Sequence, residues 1–303
     1  MTAFSRLIFE RYQTRKTKKP KQAFIALMQE HFPEVTVQEG SFPKCRNLIV
    51  GDVENAKIIL TAHYDTCSQL PFPNFIAPKN ALFTLLYSLL IIIPLVALIL
   101  LTNWLLGLYH LDITARYAAS LVIYLVFMLI LLAGPPNKHT ANDNTSGVIT
   151  LLEIYHRLTA EEKQNVCFVF FDNEEMGLLG SAQFRKQYKQ QIKDKLLINF
   201  DCVSDGDTFM LSINKAANQK YHVSLAQSFT PTDSKAVLLE NSKKIYYPSD
   251  QAGFPVAVAV ASLKYKKPFG YYMDRIHTKR DTVFQEENIR YLADSTAQFI
   301  NCL

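Results

Sequence analysis

The sequence predicts an α/β domain interrupted by an apolar helical hairpin, on three observations. Short apolar runs end abruptly in polar groups: one at His63, one at Asp172-Asn173-Glu174-Glu175 and one at Asp201. Segments with helical spacing separate these strand-like runs. Two long stretches, about 81–102 and 115–133, are dominated by Leu, Ile, Val and Phe. Ligands of open α/β sheets bind beyond the carboxyl ends of strands, so the places where the runs stop are the places to look for chemistry.

The chain has 303 residues, enough for one large α/β domain or two small ones. A net charge of +5, with aromatic residues not interleaved among basic ones, gives no sign of a nucleic-acid partner. The five cysteines, Cys45, Cys67, Cys167, Cys202 and Cys302, are dispersed and form no CxxC pair. Such a set reads as reduced thiols on the cytosolic side of a membrane.

From the start, residues 1 to about 32 read as two helical pieces broken near Pro20, with Phe4, Leu7, Ile8, Phe24, Leu27 and Met28 at helical spacing. No signal peptide is expected here, because the basic run Arg15-Lys16-Thr17-Lys18-Lys19 follows without an apolar core. That run reads as a solvated face, or as a patch drawn to anionic lipid. Two β-like runs follow, Arg46–Val50 and Lys57–Ala62, the second ending in His63-Tyr64-Asp65-Thr66. Residues i and i+2 of an extended chain share a side, so Asp65 can orient His63. A histidine at a strand end is otherwise a structural residue.

The two long stretches come next, free of charge from Ala81 to about Thr102 and from Tyr117 to about Ala133. Each is near the roughly 20 residues that cross a bilayer, and both are apolar all round. Pro94 is expected to kink the first, and Trp104, Tyr109 and Tyr117 sit where interfacial aromatics do. Their connection, about 103–116, holds one Arg and no Lys, whereas Lys79, Lys138 and the N-terminal run flank the other ends. The expectation is a two-span hairpin, residues 79–134, with both termini and a discontinuous domain (1–78 and 135–303) in the cytoplasm.

Beyond the hairpin, Asn142-Asp143-Asn144 precedes a helix burying Ile149 and Leu152. Alone, Asp143 reads as an N-cap. The run Phe168–Phe171 ends in the paired acids Glu174 and Glu175, which alone would be a solvated turn. Leu196–Phe200 ends in Asp201, Val256–Ala261 is a further short strand, and His277 lies in a late loop. A closing helix, about 286–302, buries Ile289, Leu292, Ala293 and Phe299. The bland readings weaken when taken jointly. His63, Asp143, Glu175, Asp201 and His277 make a His and carboxylate set of the kind that suits zinc, with cobalt or manganese as substitutes. Five ligands exceed a mononuclear catalytic site and suit two metals sharing a carboxylate.

The segments His63-Tyr64-Asp65-Thr66, Asn142-Asp143-Asn144-x-Ser146-Gly147, Asp172-Asn173-Glu174-Glu175-x-Gly177-x-x-Gly180-Ser181, Asp201 after its apolar run and His277-Thr278-x-x-Asp281-Thr282 resemble, in order, the motifs of metallopeptidase family 28, the di-zinc aminopeptidases. The resemblance covers nearly the whole chain except the hairpin. It implies a mixed, mostly parallel sheet of about eight strands between helical layers. It also implies that His63, Asp143 and Asp201 hold one zinc and that Asp143, Glu175 and His277 hold the other. Asp143 then bridges, Asp65 orients His63, and Glu174 is the general base. A cis peptide at Asp143-Asn144 is implied too, with an oxyanion-stabilising tyrosine among Tyr246, Tyr247, Tyr271 and Tyr272. Two features depart from the family: Ser249-Asp250-Gln251 stands where it has Ser-Asp-His, and the hairpin is inserted between the first two ligands. The resulting expectation is a membrane-anchored exopeptidase, an aminopeptidase acting on peptides. The alternatives are a deacylase acting on N-acyl amino acids, a carboxypeptidase of the same fold, or an inactive membrane scaffold. His139, near Asp143, is the one decoy among the remaining histidines.

Overall fold

The computed structural model describes residues 1–40 and 44–302. The chain begins with helices α1 (Ala3–Arg11) and α2 (Lys18–His31). Pro20 does not break them. It lies in the first turn of α2, where a missing N–H costs no helical bond, and the break falls at residues 12–17 instead. The basic run is a solvated face only in part, with Thr17, Lys18 and Lys19 exposed. Arg15 is fully buried, bonding Thr145 Oγ1 at 3.2 Å and donating to the carbonyls of Tyr12 and Tyr64. Lys21, also buried, pairs with Asp172. Cations enter a protein interior when such partners replace water, and, Tyr12 apart, these partners lie far away in sequence.

One mixed sheet follows, built from β1 (Thr36–Glu39), β2 (Arg46–Val50), β3 (Ile58–His63), β4 (Val166–Phe171), β5 (Leu196–Phe200), β6 (Thr208–Ile213), β7 (Ala236–Asn241) and β8 (Ala257–Lys266). Their spatial order is β1-β2-β4-β3-β5-β8-β6-β7, and a ninth strand, β9 (Gly270–Tyr272), pairs with the end of β8. The four central strands, β4, β3, β5 and β8, run parallel. Side-chain alternation explains why they read as continuous apolar runs: both faces are covered. Leu60, Phe168, Phe170 and Ile198 join one core, and Ile59, Cys167, Val169 and Leu197 the other. Against the first face pack α1, α2, α5 (Gly147–Arg157), α8 (Lys215–Ser228) and α9 (Glu286–Asn301). Phe184, from α7 (Leu179–Gln187), packs on the second. The short α6 (Ala160–Gln164) caps the approach to β4 with a capping box at Thr159 and Glu162.

Parallel register decides where the strands end. His63 is level with Phe171, and Thr61 is level with Asn199. The residues following these strands therefore emerge along one edge of the sheet.

The uncharged stretches form α3 (Ala81–Leu108) and α4 (Ile113–Ala133), longer than the sequence suggested, so most of the expected connection is helical. Both are long and apolar enough to cross a membrane, and neither has a buried residue. At 28 residues α3 is about 42 Å long, more than a bilayer core of about 30 Å. Asn103 Nδ2 donates to Ser120 Oγ at 2.6 Å between them. The base is closed where Gln69 N donates to the Pro135 carbonyl at 2.8 Å and Ser68 Oγ to the Leu132 carbonyl at 3.1 Å.

Candidate metal centre

The five expected ligands converge at the strand-end edge. His63 ends β3, Glu175 follows β4 and Asp201 follows β5. Asp143 lies in the turn ahead of α5, and His277 in the loop after β9. Asp143 is central: its Oδ1 is 3.4 Å from His63 Nε2, and its Oδ2 is 2.9 Å from His277 Nε2. His63 Nε2 also lies 3.5 Å from Asp201 Oδ1, and His277 Nε2 lies 3.4 Å from Glu175 Oε2. The donor atoms fall into overlapping groups that could hold a metal: Cys67, Asp143, Glu175 and His277; His63, Glu174 and Asp201; and Asp143, Asp201 and Cys202.

The residues present fit such an ion. Glu175 Oε1 and Asp201 Oδ1 are buried with no hydrogen-bond partner among the described residues. Buried carboxylate oxygens are seldom left this way, and a cation is the partner that this donor set suits. The titration of the groups carries the same mark. Burial, with Glu175, Asp250 and Asp201 nearby, pushes Glu174 well above the ordinary glutamate value. Burial and the Asp143 charge raise Glu175 to about 8. Burial disfavours a charged His277, yet Glu175 and Asp143 lift it to about 10. His63 is likewise driven well above its usual value by Glu174 and its other acidic neighbours, against the cost of burial. The acids thus crowd together with too few positive charges among them.

The supporting contacts refine several expectations. Asp65 sits beside His63, but His63 Nδ1 is 3.1 Å from the Asp65 backbone carbonyl and 3.7 Å from its carboxylate. The carboxylate instead accepts the N–H groups of Glu174 at 3.0 Å and Glu175 at 3.3 Å. Asp281 accepts the N–H groups of Asn142 at 2.8 Å and Asp143 at 3.0 Å. The Asp143-Asn144 peptide is cis, as the motif implied. His277 has a φ of 59°, in the left-handed region that non-glycine residues seldom occupy.

Sequence reasoning missed Ser249, whose Oγ donates to Asp201 Oδ2 at 2.6 Å while accepting from Asn199 at 3.0 Å. Its sole signal was its place in the Ser-Asp-Gln segment. The next residue, Asp250, is buried with both carboxylate oxygens unpaired among the described residues, and burial raises it to about 7. Of the four tyrosines, Tyr246 and Tyr247 line the cavity over the ligands. Tyr247 is committed to the Asp201 carbonyl at 3.0 Å, whereas Tyr246 is exposed. His139 is exposed and belongs to no candidate metal group among the described residues.

The entrance to the hairpin is tied to this site. Leu70 N donates to the His277 carbonyl at 2.9 Å, Ile76 N to the Met273 carbonyl at 2.8 Å and Tyr246 N to the Pro78 carbonyl at 2.9 Å.

Comparison with known proteins speaks to the family and the fold. The description of peptidase family M28 matches residues 105–300, leaving His63 and Asp65 outside the matched span. A probable leucine aminopeptidase from Arthroderma benhamiae is 27% identical over 153 residues, 47% of this chain and 42% of that protein. The chain therefore spans less than half the length of that relative. Among solved structures, a glutaminyl cyclase from Porphyromonas gingivalis has a TM-score of 0.57 at 15% identity, covering 98% of this chain and 96% of its own. A Zn-dependent exopeptidase from Parabacteroides distasonis has a TM-score of 0.54 at 14% identity, with the same coverage of 98% and 96%. The Legionella pneumophila aminopeptidase LapA has a TM-score of 0.53 at 14% identity, covering 98% of this chain and 69% of its own. At these identities the likeness speaks for the fold, and a shared fold does not select a reaction. The family match covers well over half of the chain, and with it Asp143, both acids after β4, Asp201 and His277, so this chain belongs to peptidase family M28.

Proposed function

We propose that this protein is a membrane-anchored, zinc-dependent aminopeptidase with two ions per chain. The observation that carries the reading is Asp143, which turns one carboxylate oxygen to each histidine. His63 and Asp201 would complete one ion's shell, and Glu175 and His277 the other's. When bound, two zinc ions supply Lewis-acid polarisation of a carbonyl and acidify water.

The chain's own residues handle the proton. Glu174, in the same wall of the cavity, takes a proton from the attacking water as its oxygen bonds to the scissile carbonyl carbon. The C–N bond then breaks, and Glu174 returns that proton to the leaving amine. Glu174 must be ionised to begin. Bound cations would bring its raised pKa down, as positive charge does for neighbouring carboxyls. Tyr246, exposed at the cavity, is the tyrosine free to donate to the developing oxyanion.

The membrane reading rests on the hairpin and its charges. Lys79 stands ahead of α3, and Lys16 Nζ donates to the Leu132 carbonyl at 2.6 Å near the end of α4. Cations thus gather at the domain end of the hairpin, which the positive-inside rule places in the cytoplasm. The cavity would then open close to the inner membrane surface.

The test is metal content together with hydrolysis of aminoacyl, N-blocked and C-terminal substrates. About two zinc per chain and preference for a free N-terminus are expected from the two-ion arrangement. Glu174→Gln should lower kcat by about 10²–10⁴-fold with metal retained. Loss of zinc in that variant would contradict the base assignment. Preference for an N-blocked substrate would favour the deacylase reading.

A further inference from the structure

The catalytic cavity, about 180 Å³, is not lined by the peptidase domain alone. Thr84, in the first turn of α3, forms part of its wall, as do Phe75 and Ile76 from the segment leading into that helix. Phe75 also lines a second, apolar cavity of about 500 Å³ at the base of the hairpin, with Phe83, Leu86 and Tyr87. Leu90 and Ile91 carry this space into a third, of about 380 Å³, which reaches Leu98 on α3 and Phe127 on α4. The second and third cavities share Phe72, Leu90 and Ile91, and Phe75 is the wall common to the first and second, so the three adjoin in series from the ligands along the hairpin.

The path suits one kind of occupant. From Thr84 to Leu98 is 14 residues of helix, about 21 Å, which exceeds one leaflet's share, about 15 Å, of a bilayer core. Among the described residues lining the two apolar cavities, the one polar side chain is Tyr87, whose hydroxyl is already bonded to the Pro73 carbonyl. An extended peptide laid there would leave its amides unpaired in hydrocarbon, whereas an alkyl chain has none to satisfy. Phe75 stands at the junction, stacked on Tyr272 at 5.1 Å between ring centroids and packed on Phe83 at 4.7 Å. A chain entering along α3 therefore meets the catalytic cavity beside this aromatic pair.

We propose that the groove along α3 is a subsite for a long alkyl chain, and that the substrate is a lipid-modified amino acid or peptide held in the bilayer. The proposal rests on the peptidase reading above. An aminopeptidase places the free amine in the small inner cavity, so the alkyl chain belongs to the leaving-group side.

The test uses the full chain in phosphatidylcholine nanodiscs with leucyl-ethylamide and leucyl-dodecylamide at equal membrane content. The dodecylamide should show a kcat/KM at least about tenfold above the ethylamide, since each buried methylene contributes. Leu86→Trp, which fills the groove, should collapse that ratio. Leu85→Trp, on the opposite, exposed face of α3, should preserve it. An equal ratio in all three proteins would mean that the chain acts through partitioning alone, and a ratio near one in the wild type would mean no subsite. Either result overturns the proposal while leaving the peptidase reading intact. A separate readout does not need turnover: photolabelling of Glu174→Gln with leucyl-dodecylamide bearing a terminal diazirine. Labels confined to the groove's lining, such as Phe72, Leu86, Leu90, Ile91 and Leu98 with Phe127 on α4, support the groove, even if neither amide is cut. Labels spread evenly around α3 and α4, as bulk lipid would give, overturn it.

Discussion

Replacement of Asp65 by Asn separates two jobs that the structure assigns to different atoms of one residue. The backbone carbonyl of Asp65 holds His63 Nδ1 at 3.1 Å, and Asn keeps that carbonyl. The carboxylate holds the N–H groups of Glu174 and Glu175 at 3.0 and 3.3 Å, and Asn offers them one oxygen where two had accepted. A hydrogen bond to a charged group contributes about 1.5–3 kcal/mol. Losing one of these two, with the turn free to shift the base, corresponds to about a 10- to 100-fold fall in kcat. Zinc affinity should change by less than about threefold, because the contact that orients His63 survives and outer-shell losses of 10-fold or more arise when it does not. The assay is kcat at saturating zinc, paired with zinc affinity from competition with a chromophoric chelator. The reasoning is refuted if Asp65→Asn loses zinc affinity by more than tenfold and excess zinc restores full kcat. That pattern would mean that the carboxylate serves His63 and not the Glu174-Glu175 turn.

Zinc binding should release protons at pH 7 and tighten as pH rises, since the metal-free protein holds protons on Glu175 (about 8) and His277 (about 10) that ligation must displace. Calorimetry in buffers of different ionisation enthalpy measures this, and binding without proton release would contradict it. The same shifts carry a sign for the stability of the chelated protein. Glu175 is raised above its usual 4.5, so its contribution declines from there to about 8; that of His277 is full below 6.5 and is lost toward about 10. Both fall with rising pH, while Asp143, held below the ordinary carboxylate range, matters only in acid. A melting temperature of chelated protein that stays flat or rises from pH 5 to 9 would refute this. Lys21→Met should destabilise the domain by about 3–5 kcal/mol, because it strands the buried Asp172 carboxylate. Urea unfolding would show it, and a change under 1 kcal/mol would mean that Asp172 takes up its proton at little cost. For topology, Asp112→Cys between the two helices should react with a membrane-impermeant maleimide on intact cells; labelling only after lysis would reverse the proposed orientation.

Much of the site could be read from local pattern, because His63, Glu175, Asp201 and Asp143 each sit near where an apolar strand or helix begins or ends, while His277 lies in a loop. Strand β4 is apolar on both faces and stops at Asp172, so its acids had to emerge at the sheet edge. What supports the ligands was not legible. Ser249 reaches Asp201 across 48 residues, Asp281 reaches Asp143 across 138, and Arg15 reaches Thr145 across 130. No periodicity in one segment encodes a partner that far away. The basic run shows the same limit: composition alone made Arg15 part of a solvated face, and tertiary contacts buried it.

The sequence by itself determined the α/β alternation, the two apolar helices and the polar groups at the strand ends, His63, Glu174-Glu175 and Asp201. Those follow from side-chain period and run length, which are properties of neighbouring residues. The tertiary structure alone decided that Asp143 shows one oxygen to each histidine, that Asp65 clamps the Glu174-Glu175 turn and that Thr84 of the apolar hairpin walls the catalytic cavity. Those depend on parallel register and on packing between segments far apart in the chain, where a shift of one residue would turn each group to another face.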